Sequence, residues 1–485
     1  MIWHGFFTDK LFYFIIIEVI MKKLIAFLSI LAMSQSLAAQ TATTPPADTS
    51  AAVQPAEPFA WGDFTWINGN DRRHTSLLDT KYVTGRVLLD ANYTASNQHP
   101  IDHTVVGSTT LARDNEFEIN TAAMGGDFHY DNVRASILLQ MGTRATVVPR
   151  NDYSSYHGQY DLFDAYRFVS EANAGYHFNV WHGINVDAGI FMSYIGLFSY
   201  YNAENWTYQP SFTSDNTPWF FNGLRIQTFP SDRIKVEFWI TNGWQSYAKF
   251  NNAPGLGFQF TWRPEEAIQV LSNNYYGYDT PGDPDRYRFH TDNSFLLRYY
   301  SNPGSSGISK MAFSVTQDVG FESGDGIVSG FSKVAGQYQQ YFLSGMIYNR
   351  IWFLNDHLGC TVGTGYINNP GRYLVLYPTG AASPLPNPYN PTQNGGVSGG
   401  SNAFSANPGD PFHGWDATIS FDWMPNDFIQ YDLQVIHRET DVPYFAGPGG
   451  VTSPTGYTTT ALPADWSPSL VRAETRLIAA VLVRF

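Results

Sequence analysis

The sequence is short of several things that mark common protein classes. It has one cysteine, Cys360, so a disulfide framework is excluded. Charged side chains make up 14% of its 485 residues, against roughly 25% in an ordinary soluble domain. Bases are the scarcer sign, 28 against 42 acids, for a net charge of −14, which argues against a nucleic-acid partner. Beyond residue 40 no apolar run reaches the ~18 residues of a membrane-spanning helix. What the chain does have is aromatic surface: 35 Phe, 30 Tyr and 13 Trp, with 42 Gly. That composition excludes a disordered chain and suits β-sheet surfaces.

The amino terminus carries a targeting pattern. Residues 21–40 read MKKLIAFLSILAMSQSLAAQ. Lys22 and Lys23 form a basic start, Leu24 to Met33 an apolar core, and Ser36-Leu37-Ala38-Ala39 supplies small residues for cleavage, as in a secretory signal peptide. A membrane anchor would need about 20 apolar residues. A complete signal over 21–39 makes residues 1–20 an upstream extension from a misassigned start. Residues 40–58 are rich in Pro, Ala and Thr, a flexible linker with nothing to build a core. The folded part is expected over 59–485.

Within that part, apolar and polar residues alternate with the period of two that marks a strand with unlike faces. Ile234, Val236, Phe238 and Ile240 alternate with Lys235, Glu237, Trp239 and Thr241; Trp415, Ala417, Ile419, Phe421 and Trp423 alternate with Asp416, Thr418, Ser420 and Asp422. Short turns (129–132, 179–183, 229–233, 263–267, 301–308, 353–355, 424–428) interleave with long polar loops (94–115, 143–167, 193–218, 243–255, 276–293, 319–337, 369–412, 439–470). Eight long connections and seven short ones imply 16 strands with both chain ends on the short-turn side. That asymmetry is the signature of an all-β transmembrane antiparallel up-and-down barrel, with short periplasmic turns and long extracellular loops. A soluble sandwich would also alternate, but needs no strict long/short rhythm and rarely exceeds ~300 residues as one domain. In lipid every backbone polar group must be paired, which only a closed sheet achieves. Tyr82, Tyr93, Trp219, Trp244, Trp262, Tyr299, Tyr348 and Trp423, at strand ends, are expected in the interfacial aromatic girdles. Phe485, a terminal aromatic on an amphipathic strand, resembles the signal read by the outer-membrane barrel assembly machinery.

Several stretches carry a family resemblance: GDFTWINGNDRR (62–73), GGDFHYDNVRASILLQMG (125–142), NTPWFFNGLRIQTFPSD (216–232), NGWQSYAKFNNAPGLG (242–257), GYINNPGRYLVL (365–376), NPGDPFHGWDA (407–417) and VPYFAGPGGVT (442–452). With GYHFNVWHGINVDAGIFMSYIGLFSYYNAENWTYQPSF (175–212), they make segment 59–485 resemble the OmpL-like outer-membrane β-barrel porins of Gram-negative bacteria. The resemblance implies an outer-membrane location and passive diffusion of small hydrophilic solutes. It carries over no catalytic or ligand-binding residue and implies no cofactor or metal.

A barrel of ~16 strands is wide enough for an aqueous channel. The inward parity holds the acids Asp90, Glu116, Glu118, Glu171, Asp187, Glu237, Asp318, Asp416, Asp422, Asp432 and Glu474. It holds the bases Arg86, Arg134, Arg225, Lys235, Arg298, Arg438, Arg472, Arg476 and Arg484. Such charges on the lipid face would cost a few kcal/mol each, so they are expected to line the lumen, either of an open pore or of a plugged one where they satisfy one another. Their near balance predicts weak ion selectivity, slightly for cations. Loop 193–218, with Tyr194, Phe198, Tyr200, Tyr201, Trp206, Tyr208 and Phe212, either folds inward as a constriction or caps the outer rim. Cys360 falls on the outward parity as an apolar filler. Asp279, Asp283 and Asp285 do not match the spacing of a calcium loop, and His413 near Asp410 and Asp416 is a weak hint of acid–base chemistry. The leading expectation is a weakly selective porin, not an enzyme, in contact with outer-membrane lipid and open to association as a homo-trimer. The alternatives are a barrel acting through its surface loops in adhesion, and a barrel enzyme with its site at the rim.

Overall fold

The computed structural model describes residues 57–485 except 150, 151, 153, 155–157, 281–282, 325–326, 329–337, 340, 370–411, 458–461 and 464. The expected upstream extension, the signal peptide and nearly all of the linker lie outside the described residues. Sixteen strands close into one antiparallel barrel. They are β1 (Val83–Ser96), β2 (Phe117–Tyr130), β3 (Val133–Met141), β4 (Val169–Phe178), β5 (Ile184–Met192), β6 (Phe220–Ser231), β7 (Ile234–Thr241) and β8 (Gly255–Trp262). The second half comprises β9 (Ile268–Gly277), β10 (Tyr287–Ser301), β11 (Ile308–Ser323), β12 (Tyr341–Phe353), β13 (Leu358–Asn368), β14 (His413–Asn426), β15 (Ile429–Thr440) and β16 (Ala473–Arg484). Each strand pairs with its sequence neighbour, and the seam closes by β1 against β16, Leu88 opposite Arg484 through Ser96 opposite Arg476.

The alternation explains the closure. Leu89, Ile137, Phe238, Ile347, Ile419, Phe421, Leu433 and Leu477 stand exposed on the outer face, where lipid takes the place of water. Their neighbours of opposite parity, such as Asp90, Ser136, Glu237, Asp416, Asp432 and Arg476, are buried within. The short turns demand little: Asp131 takes φ 49° in the turn between β2 and β3, a left-handed conformation that Asp and Asn tolerate.

Two loops are shorter than the sequence suggested. Residues 276–293 were expected as a loop, yet β10 already begins at Tyr287. Likewise β11 continues to Ser323, past the expected strand end before 319. At the start of β10 the polar Thr291 and Asn293 on the outer face interrupt the period of two. The girdle expectation also needs correction at three positions. Trp219, Trp244 and Tyr348 are buried inside the barrel, whereas Tyr82, Trp262, Tyr299 and Trp423 are exposed at the periplasmic rim.

Candidate functional site

The interior is organised by the connection between β5 and β6, residues 193–219, which turns into the barrel instead of staying outside. Its aromatic residues pay the conformational cost of ordering by burial. Tyr194 stacks on Trp239 (4.9 Å) and Phe221 (5.1 Å), Phe198 meets Tyr348 edge-on at 5.2 Å, and Trp206 meets Trp352 at 5.7 Å. Polar groups of the loop then bond to inward strand residues. Tyr208 Oη donates to Asp90 Oδ1 (2.7 Å) and Asn202 Nδ2 to Asp90 Oδ2 (2.8 Å). Ser211 Oγ and the Phe212 amide both donate to Asp416 Oδ2 at 2.8 Å. Arg438 donates to the Gly107 carbonyl (2.6 Å) and pairs with Asp215 (2.6 Å). Arg350 donates to the Trp206 carbonyl at 2.9 Å. Of the two placements left open for this loop, the inward one is found.

A second segment, residues 59–76, lies across the periplasmic mouth. The Phe59 amide and Trp61 Nε1 donate to the Asp232 carbonyl in the β6–β7 turn (2.8 and 3.2 Å). Trp66 Nε1 donates to the Glu266 carbonyl at 3.0 Å, and Arg72 to the Asn426 and Ile429 carbonyls. Asp71 pairs with Arg484 at 3.1 Å. Burial pushes the Asp71 carboxyl up, but the Arg484 charge and the hydrogen bonds from Arg73 outweigh it and hold it below the ordinary aspartate value. The segment also meets the inner loop: the Trp206 amide donates to Asn68 Oδ1 (2.7 Å) and the Gly69 amide to the Glu204 carbonyl (3.0 Å).

Between these two covers and strands β3–β9 a cavity of about 610 Å³ remains. Its wall includes Arg134, His177, Asn185, Gln227, Lys235, Gln259, Thr261 and Gln269, and its inner end is formed by residues 193–200. The wall charges are layered. Asp187, with 1% of its side chain exposed, sits behind Arg134 (3.1 Å, 38% exposed) and Arg225 (2.8 Å, 18% exposed). Glu237, 3% exposed, sits behind Lys235 (2.9 Å, 22% exposed) and accepts further hydrogen bonds from Gln227 and Trp239. Arg263, in the β8–β9 turn, donates to Gln269 Oε1 (2.7 Å) and lies over the Phe59 and Phe64 rings. Burial lowers its pKa to about 10, which still leaves it a cation at neutral pH.

The other expected lining residues fall elsewhere. Arg86 forms a fork on Glu171 (2.8 and 3.3 Å). Glu118 accepts from Asn92 (3.1 Å), Asp422 from Arg350, and Asp432 from Gln430 (2.8 Å). Glu474 pairs with Arg476 (2.7 Å), which also donates to Gln209 of the inner loop. Asp318 lies against His290. Arg298 pairs with Glu266 at the periplasmic end (2.7 Å). Two expectations are corrected. Glu116 precedes β2 and pairs with Arg113 (2.8 Å) at the half-exposed extracellular rim, and Arg472 is exposed just ahead of β16. Both kept the inward parity, but the chain has left the wall there. The sequence reading missed Arg288, Asp292, Glu322, Lys310 and Arg350, all buried within. The first two lie in the stretch taken for a loop; Arg350 shares its parity with Tyr348, which was assigned outward. It also missed Arg144, buried in the β3–β4 loop over Tyr200 (4.4 Å) and Trp219 (4.8 Å). His413 is held by Asp441 (2.7 Å), while Asp416 accepts from the inner loop; Asp410 lies outside the described residues. Phe485 bonds across the seam to Val87 (2.8 Å) and stacks on Phe428. Cys360 is half-buried on the outward parity.

Solved structures of similar shape include an anion-selective porin from Comamonas acidovorans (8% identity, TM-score 0.46, covering 83% of this chain and 99% of that one). The outer-membrane channel DcaP of Acinetobacter baumannii matches at 9% identity and TM-score 0.45, with 83% and 97% covered. OprB of Pseudomonas putida matches at 9% identity and TM-score 0.45, with 84% and 94% covered. No curated protein matches the sequence. The family model described as "Putative beta-barrel porin-2, OmpL-like" matches residues 82–463, most of the barrel, and the chain belongs to that family of outer-membrane barrels.

Proposed function

We propose that the protein is a porin whose path for small hydrophilic solutes runs along the β3–β9 half of the lumen, with residues 194–200 at its narrowest place, and that it favours anions. The observation that carries this reading is the layering of charge: Arg134 and Lys235 line the cavity while their partners Asp187 and Glu237 are buried behind them. Two arginines share the single Asp187 carboxylate, which leaves a net positive charge on this wall, and the solvent-facing cations attract counter-ions from the water in front of them. This replaces the slight cation preference expected from a bare count of charges, because that count gave buried and solvent-facing groups equal weight. The role needs no bond-making chemistry, so the reading is of a channel and not an enzyme. It also has residues 21–39 removed on export and the Phe485 strand read by the assembly machinery.

The test is single-channel recording of the refolded protein in a planar bilayer, with the reversal potential taken under a salt gradient. Stable steps with an anion-signed potential are expected. No steps from a correctly folded barrel would overturn the porin reading, and steps with a cation-signed potential would overturn the selectivity alone.

A further inference from the structure

The lipid-facing surface carries a cluster of amide and hydroxyl side chains where hydrocarbon is expected. Asn273, Asp292 and Asp318 are buried within the barrel, so their neighbours point outward: Ser272 and Asn274 on β9, Thr291 and Asn293 on β10, Gln317 on β11. The register places them side by side, Asn274 opposite Thr291, and Asn293 between Ser272 and Gln317. Asn293 lies midway along β10 between Tyr287 and Tyr299, so the cluster sits at mid-height of the wall. Phe289 pairs with Phe321 on one side of it (5.6 Å) and Phe295 with Phe313 on the other (5.9 Å). Elsewhere the outer face presents Leu89, Ile137, Phe238, Ile419 and Leu433.

Part of the polarity is satisfied within the cluster. Ser272 Oγ donates to Asn293 Oδ1 (2.7 Å) and Asn293 Nδ2 to Thr291 Oγ1 (3.0 Å). The Gln317 side chain is exposed, has no hydrogen bond among the described residues, and faces Gly345 on β12, whose missing side chain leaves a notch beside it. Hydrocarbon offers an amide no partner, and lipid headgroups do not reach mid-height. An amide has both donors and an acceptor, so such a patch is its own complement, as required of copies that meet through the same surface. We infer that copies of this chain associate in the membrane through the β9–β12 face, with Asn293 and Gln317 of one copy against the same patch of the next.

The test uses the full chain in outer membranes, in a Cys360→Ser background. Asn293→Cys and Gln317→Cys are treated with a short bis-maleimide, with Ile137→Cys on β3, on the far side of the barrel, as the control. Cross-linked pairs at 293 and 317, several-fold above 137, are expected; equal yields at all three would overturn the inference. As a second check, Asn293→Leu combined with Gln317→Leu should abolish the oligomer seen by native mass spectrometry in mild detergent. The heat-modifiable mobility of a folded barrel should be retained. A folded double variant that is still oligomeric would place the interface elsewhere, and a monomeric wild type would overturn the inference.

Discussion

The two halves of the lumen treat the same residue types in opposite ways. Along β3–β9, Arg134 and Lys235 stand partly exposed in front of their carboxylates, and a cavity remains before them. Along β12–β16 and β1, Arg350, Arg438 and Arg476 have at most a few per cent of their side chains exposed. There they bond to the backbone and side chains of the inner loop. The difference lies in what faces the wall. The loop needs acceptors and donors for the polar backbone it buries, and the second half supplies them. The first half meets mainly the aromatic start of the loop, Tyr194 against Trp239 and Phe221, which makes few claims on its charges. One wall is therefore structural and the other keeps a cavity in front of it.

The largest effect should come from erasing the difference. Replacing residues 199–216 by a short Gly/Ser linker empties the second half, and single-channel conductance should rise several-fold; an unchanged conductance would mean that the loop does not limit the path. Next comes Arg438→Leu, which leaves Asp215 and Asp416 buried without their cation. A loss of about 3–5 kcal/mol is expected, read as a lower urea midpoint in the heat-modifiability assay. The matching change on the other wall is Arg134→Ser. It should cost about 1 kcal/mol or less, since Arg134 is 38% exposed and Asp187 keeps Arg225 as its partner, while moving the reversal potential toward cations. A stability loss equal to that of Arg438→Leu would collapse the contrast between the walls. The smallest effect concerns the segment across the mouth. Because the Asp71 carboxyl is held below its ordinary value, its pairing with Arg484 is fully present above about pH 4 and is lost as the pH falls through the lowered value. Fluorescence of Trp61 and Trp66 should change in that acid range and not between pH 5 and 8, and Asp71→Asn should abolish the acid step.

Strands such as β7, β14 and β16 were legible because one side faces lipid and the other faces polar groups, which imposes the period of two. The strand count followed from the rhythm of long and short connections. Legibility failed where that contrast fails. The start of β10 carries Thr291 and Asn293 on the outside and Arg288 and Asp292 inside, so neither face looks apolar and the strand resembled a loop. Trp219 and Trp244 were misplaced because loops fold over the ends of their strands and bring them indoors. Tyr348 could have been placed by parity with Arg350. The segment over 59–76 has no periodicity at all; its position is set by contacts with turns hundreds of residues away, such as that of Arg72 with Asn426. Which charges face a cavity and which are consumed by a loop is likewise a three-dimensional property, invisible to a count.

The seam between β1 and β16 also bears on time. Val87 and Phe485 exchange backbone hydrogen bonds across about 400 residues of chain, and contacts of such high order form slowly. Until that last pairing is made, a growing or partly assembled sheet shows two open edges, each a template for another chain. The barrel is therefore at greatest risk of aggregation just before completion, and the hydrogen bonds of its final residue end that risk.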